Sequence, residues 1–126
     1  MAAGKITDTG RKKLCMAHAG DAVLPKIKYM AVGNGGLDSA GNPLEITGSE
    51  AGLYGELLKK ELTIHTYPDD TSCRYSMRLE KHELAGESIS EMGLFDEEGD
   101  LVAYKNFLPK LKDADMEFIF DMDEKF

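Results

Sequence analysis

Three groups of residues in this chain have types and spacing that could do chemistry. Gly33-Asn34-Gly35-Gly36 follows an apolar run, and bare backbone amides in such a loop can cradle an anion. No Lys-Ser/Thr pair follows, and no helix clearly begins where a phosphate would sit, so the expectation is a tight turn leading off a strand. Asp96, Glu97, Glu98 and Asp100 offer the oxygen ligands that hard cations require, but their spacing is not that of an EF-hand and solvated hairpin tips are routinely acidic. His18, His65 and His82 fall in separate elements with neither HxH nor HExxH spacing and read as partly exposed structural histidines. Cys15 and Cys73 stand alone in unrelated contexts, so both are expected to be small buried apolar residues. There is no G-x-S-x-G elbow and no paired-carboxylate motif of a recognisable glycosidase. These residues point away from an enzyme, and no metal, nucleotide or other cofactor is expected.

The elements that must position these residues can be read from periodicity and turn chemistry. Thr7 or Asp8 can cap a helix running through Arg11 to His18, with Gly20 placed to end it. Ile6, Gly10, Leu14 and Ala17 share one stripe of it. Gly10 costs such a helix about 1 kcal/mol relative to alanine, which points to close approach of a second backbone. After Leu24-Pro25, residues 26–32 suit a strand covered on both faces. Residues 33–52 carry six glycines and few large apolar side chains, predicting a long loop available for contact with a neighbour. Leu53, Tyr54, Leu57 and Leu58 fit a short helix weakened by Gly52 and Gly55, with a strand as the alternative.

The remainder reads as antiparallel sheet. Leu62, Ile64 and Thr66 alternate up to a turn at Tyr67-Pro68-Asp69-Asp70. Cys73, Tyr75, Met77 and Leu79 then alternate with polar residues, as do Met116, Phe118, Phe120 and Met122 at the end of the chain. Between them, Ser90 to Ala103 predicts a strand, an acidic turn and a return strand, with Gly99 free to take a positive φ. Phe95 is expected to anchor this hairpin in the core.

The composition suits one soluble domain: 126 residues, 42% hydrophobic and 30% charged, with no tryptophan. A chain of this size buries roughly two thirds of the surface its unfolded form exposes and needs no disulfide or structural metal. The core should be built from Leu, Ile, Met and Phe. A net charge of -8 argues against nucleic-acid or membrane-surface partners. Basic residues gather near Lys5, Arg11, Lys12 and Lys13, and acidic ones between Asp113 and Glu124, as two solvated faces able to steer head-to-tail contacts. No apolar run has the character of a signal peptide or the length of a membrane span, which suits folding in a cytoplasm. No repeat or low-complexity tract divides residues 1–126.

Three blocks of this chain resemble the N-terminal, virion-proximal domain of phage tail-collar fibre proteins. Glu91-Met92-Gly93-Leu94-Phe95-Asp96, followed by Gly99, Leu101, Val102 and Ala103, is similar to the end of that domain. Ile6, Thr7, Asp8 and Gly10, followed by a short helix and the run from Ile27 to Val32 with Gly33, Asn34 and Gly35, looks like its opening. Leu53-Tyr54-Gly55-Glu56-Leu57-Leu58-Lys59 resembles a segment between the two. The resemblance implies an α+β fold: a mostly antiparallel sheet, as a sandwich or partial barrel, with the N-terminal helix packed on it. It implies a structural tail protein of a phage or prophage, made in the bacterial host cytoplasm and incorporated in the virion tail. There it would join a fibre to the baseplate or tail collar, with tail proteins as partners and a homo-oligomer, possibly a trimer, as its working form. The repetitive shaft and receptor-binding tip that usually follow such a domain are not in these residues, so the expectation is a stand-alone connector or a fibre fragment. The alternative of a different class is a soluble module holding a small ligand or carbohydrate in the Gly-rich loop at 33–52.

Overall fold

The alternating segments become strands, and one capped segment becomes a helix. The computed structural model describes residues 4–126, with the order β1 (Lys5–Ile6), α1 (Asp8–His18), β2 (Ile27–Gly33), β3 (Glu56–Glu61), β4 (Ile64–Asp69), β5 (Ser72–Leu79), β6 (Ser88–Asp96), β7 (Leu101–Leu111) and β8 (Phe118–Lys125). All strand pairs are antiparallel. They form a five-stranded sheet in the order β1-β7-β6-β2-β3 and a three-stranded sheet in the order β4-β5-β8. The fold is therefore mostly β, with its one described helix near the N-terminus, and meets the α+β expectation only in this broad form.

The period-two rows explain how the sheets meet. Met77 faces Phe120 and Tyr75 faces Met122 across β5 and β8, while Met30 faces Leu94 and Val32 faces Met92 across β2 and β6. These inward rows form one core with Leu79, Ile89, Val102 and Ala103. Phe107 of the five-stranded sheet stacks on Phe120 of the other at 6.2 Å between ring centroids. The opposite face of the five-stranded sheet is also covered: Ala31, Phe95, Leu101 and Tyr104 pack with Ile46 and Leu53 from the long loop. Leu94 and Phe95 are consequently both buried, one on each face of the sheet.

Local chemistry sets the ends of α1. The Thr7 hydroxyl accepts from the Gly10 amide at 3.1 Å and donates to Leu101 O at 2.7 Å, so one side chain caps the helix and fastens it to β7. Gly10 lies against the Val102 carbonyl, where a Cβ would come within 2.5 Å of the oxygen. That contact is the close approach its position inside a helix foreshadows. Gly20 follows the helix at φ +83°. In the β6–β7 hairpin Gly99 takes φ +88° as expected.

Several expectations are corrected. Ile6 lies in β1, paired with Ala103, and precedes the helix. Leu57 and Leu58 belong to β3, not to a helix, because β2 supplies a partner ladder and the Tyr54 and Gly55 amides are drawn to a side chain described below. The turn expected at Tyr67 to Asp70 moves to Asp70-Thr71. β4 continues through Pro68, whose missing N–H is tolerated on an edge strand with a register irregularity between Thr66 and Asp69. β8 starts at Phe118, leaving Met116 outside it. Cys15 is exposed, since α1 buries only Gly10, whereas Cys73 is buried. The loop after β2 extends to Gly55.

Candidate functional site

The stretch Gly33 to Gly36 leads off β2 as a turn, and one of its amides, Gly35, joins the Tyr54 and Gly55 amides from the far end of the loop around a side chain of the sheet. Glu91 on β6 is fully buried. Its Oε2 accepts from the Gly35 amide at 2.9 Å and the Gly55 amide at 2.7 Å. Its Oε1 accepts from the Tyr54 amide at 2.9 Å and the Tyr104 hydroxyl at 2.8 Å. Burial, then this bond and the charge beside it, push the Tyr104 phenol upward, so it stays a neutral donor. Ser90 donates to Gly35 O, and Asn106 donates to the Gly36 and Leu44 carbonyls. Glu50 repeats the motif within the loop. Burial alone would raise its carboxyl, but the Thr47 and Gly48 amides and the Thr47 hydroxyl hold it below the usual range. The loop expected to be free for a ligand or neighbour is folded onto the sheet by these bonds.

The acidic hairpin tip is likewise filled from within. Lys13 Nζ on α1 lies 2.6 Å from Asp96, 3.0 Å from Glu98 and 2.7 Å from Asp100. These three carboxylates are the only cluster among the described residues with the spacing to hold a metal ion. Burial would lower the Lys13 ammonium, but its bonds to Asp100, Asp96 and Glu98 outweigh that and raise it, keeping it charged. His18, His65 and His82 are exposed and stay in separate elements.

An open cavity of about 440 Å³ lies where α1, the Leu24–Ile27 segment and the ends of β4, β5 and β8 meet. Ile6, Leu14, Ile27 and Val102 supply apolar walls, with Tyr67 and Phe126 exposed beside them. Glu124 is the polar exception. It continues the inward row Phe120, Met122 at the end of β8, pairs with Cys73 of β5, and is only 6% exposed. Burial pushes its carboxyl above the usual range, while the neighbouring Tyr75 hydroxyl pulls the other way. Burial, with Cys73 and Glu124 close by, raises the Tyr75 phenol, so the hydroxyl remains protonated. Among the described residues, no cation lies within ion-pair distance of Glu124.

Of the residues singled out by sequence, Gly33, Gly35 and Gly93 gather around Glu91 and the loop, and Gly93 leaves room for Leu53 above it. Leu94, Phe95 and Leu101 are core residues, while Gly99 serves the turn. Ile6 and Gly10 border the cavity, and Thr7 fixes the helix. Glu91 and Glu124 were missed as polar centres. Each had a signal: an acidic residue in an otherwise apolar period-two row. No helix among the described residues is long and apolar enough to cross a membrane. No protein-family model and no curated protein matches this chain, so the fold and the site geometry carry the functional reading.

Proposed function

We propose that this domain is a structural part of a phage or prophage tail, fastening a fibre to the baseplate or tail collar. The observation that supports this reading is the interlocking of the three sequence blocks that resemble tail-collar fibre proteins. Thr7 and Gly10 dock on Leu101 and Val102. Gly35, Tyr54 and Gly55 close on Glu91, and Leu53 packs over Gly93. Residues placed in this way give a rigid body. They do not present a nucleophile with its base, which is what acyl or glycosyl transfer would need.

In this reading the partners are tail proteins and further copies of the chain, with a trimer as the assembled form. Among the described residues, open edges for such contacts lie on β4 and on β8 near Ile119, where Ile64, Tyr67 and Ile119 are exposed, while Asp123 at the other end of β8 accepts from the Gly4 amide. β5 offers no such edge, because it is the central strand of its sheet with both edges paired. Gold labelling of the chain on tail particles from the bacterium that encodes it tests the assignment. Label at the fibre root is expected, and particles whose fibres attach normally after deletion of the chain would refute it. Light scattering of the purified protein should give a trimer mass. A monomer mass independent of concentration would remove the self-assembly part.

A further inference from the structure

We propose that the cavity between α1 and the β4-β5-β8 sheet binds a small organic cation, an amine carried on an apolar body, with Glu124 as its counter-ion. The cavity volume of about 440 Å³ falls in the range of small-molecule sites. Its mix of apolar walls with a few convergent polar groups is the usual composition of such sites.

The choice of a cation follows from Glu124. The inward rows of β5 and β8 are otherwise apolar or aromatic, and in that row the Glu124 carboxyl is largely buried and reaches the open cavity without a positive partner. A buried carboxyl without a cation or several donors takes up a proton more readily, and a cation beside it is what favours its charged form. The other charged and titratable groups facing the cavity do not compensate Glu124. From α1, Lys13 is held by Asp96, Glu98 and Asp100. From β6, Asp96 is engaged by Lys13 and by the Glu98 and Asp100 amides. Lys26 precedes β2 and is exposed, as are His65 and Tyr67 on β4. On β5, neither the Cys73 thiol nor the Tyr75 hydroxyl can supply a positive charge.

An anionic ligand would meet a like charge at the cavity floor, and a purely apolar one would leave Glu124 uncompensated. An ammonium satisfies the carboxyl, and the Tyr75 hydroxyl offers it a second acceptor. Tyr75 and Tyr67 add aromatic surface of the kind that attracts cations.

Calorimetric titration with 2-phenylethylamine and its uncharged counterpart 2-phenylethanol, at about pH 7, tests the proposal. The amine should bind at least about tenfold more tightly than the alcohol. Glu124→Gln should abolish that preference. Equal affinities, absence of binding, or a preference that survives in Glu124→Gln would overturn it. The ¹³C carboxyl resonance of Glu124 in the unmodified protein gives a readout that does not depend on a variant folding. It must shift on adding the amine, and a signal that stays in place overturns the proposal. A negative result here leaves the tail assignment untouched, since that rests on other residues and another assay.

Discussion

Glutamine in place of Glu91 keeps the side-chain volume but leaves one accepting oxygen where four donors converge. If that oxygen faces Gly35 and Gly55, the new NH2 group meets the Tyr104 hydroxyl, which can rotate to accept, and the Tyr54 amide, which cannot. One buried donor is then orphaned, at about 1–3 kcal/mol, and the remaining bonds lose the charge assistance that adds about 1 kcal/mol to the group. The expected loss is about 2–4 kcal/mol. Glu91→Ala orphans three amides and a hydroxyl together and leaves a void, so it should cost more, about 4 kcal/mol or above. Urea melts followed by far-UV circular dichroism suit a protein without tryptophan. Hydrogen exchange adds a local readout: amides of residues 34–55 should lose protection in Glu91→Gln while β5 and β8 keep theirs. A stability loss under about 1 kcal/mol, or unchanged loop protection, would refute the claim that Glu91 organises the loop.

The remaining predictions concern the core, the hairpin and the two ends of the pH range. Phe95→Ala should cost about 3–5 kcal/mol in urea melts, the range for emptying a buried aromatic site; a loss under about 1 kcal/mol would leave the hairpin held by Leu94 alone. Lys13→Met should cost about 1–2 kcal/mol, between exposed and buried ion pairs because Glu98 and Asp100 are half in solvent while Asp96 is not. EDTA should leave the wild-type melting temperature unchanged, since the lysine occupies the acidic cluster, and a clear drop would contradict that. Arg74 bonds Asp123 at 2.8 and 3.1 Å and holds its carboxyl below the usual range. The resulting stability is present above about pH 3.9 and is lost as pH falls through the lower folded value, so Asp123→Asn should flatten the acid limb of stability against pH. Glu124 has the opposite sign: its raised folded pKa gives stability present below about pH 4.3 and lost as pH rises through the folded value. The advantage of Glu124→Gln over wild type should therefore grow from about pH 4 upward, and a difference independent of pH would refute it.

The elements most legible in the sequence were those set by neighbours in the chain. The α1 boundaries follow from the Thr7 hydroxyl reaching Gly10 and from Gly20 just past the end. The β6–β7 hairpin follows from alternation and from Gly99 at a turn that needs positive φ. β5 and β8 were legible because one face of each is apolar. The segment from Leu53 to Leu58 reads as a short helix with a strand as the alternative because helix and strand spacing coincide over so few residues, and the decision belonged to β2, which pairs with β3 from about twenty-five positions upstream.

By itself, the sequence determined the local conformations of this protein: which residues alternate, where the backbone must turn, and where a helix can be capped. Tertiary structure decided the fate of its polar centres. The Gly35 amide meets Glu91 across 56 positions, and Lys13 meets Asp96 across 83, pairings that no local pattern encodes. The same acidic residue is solvated at a surface position and an anion in need of donors at a buried one. Stacking of the two sheets and folding of the loop onto the outer face made that distinction, closing one cradle on Glu91 and leaving Glu124 facing an open cavity.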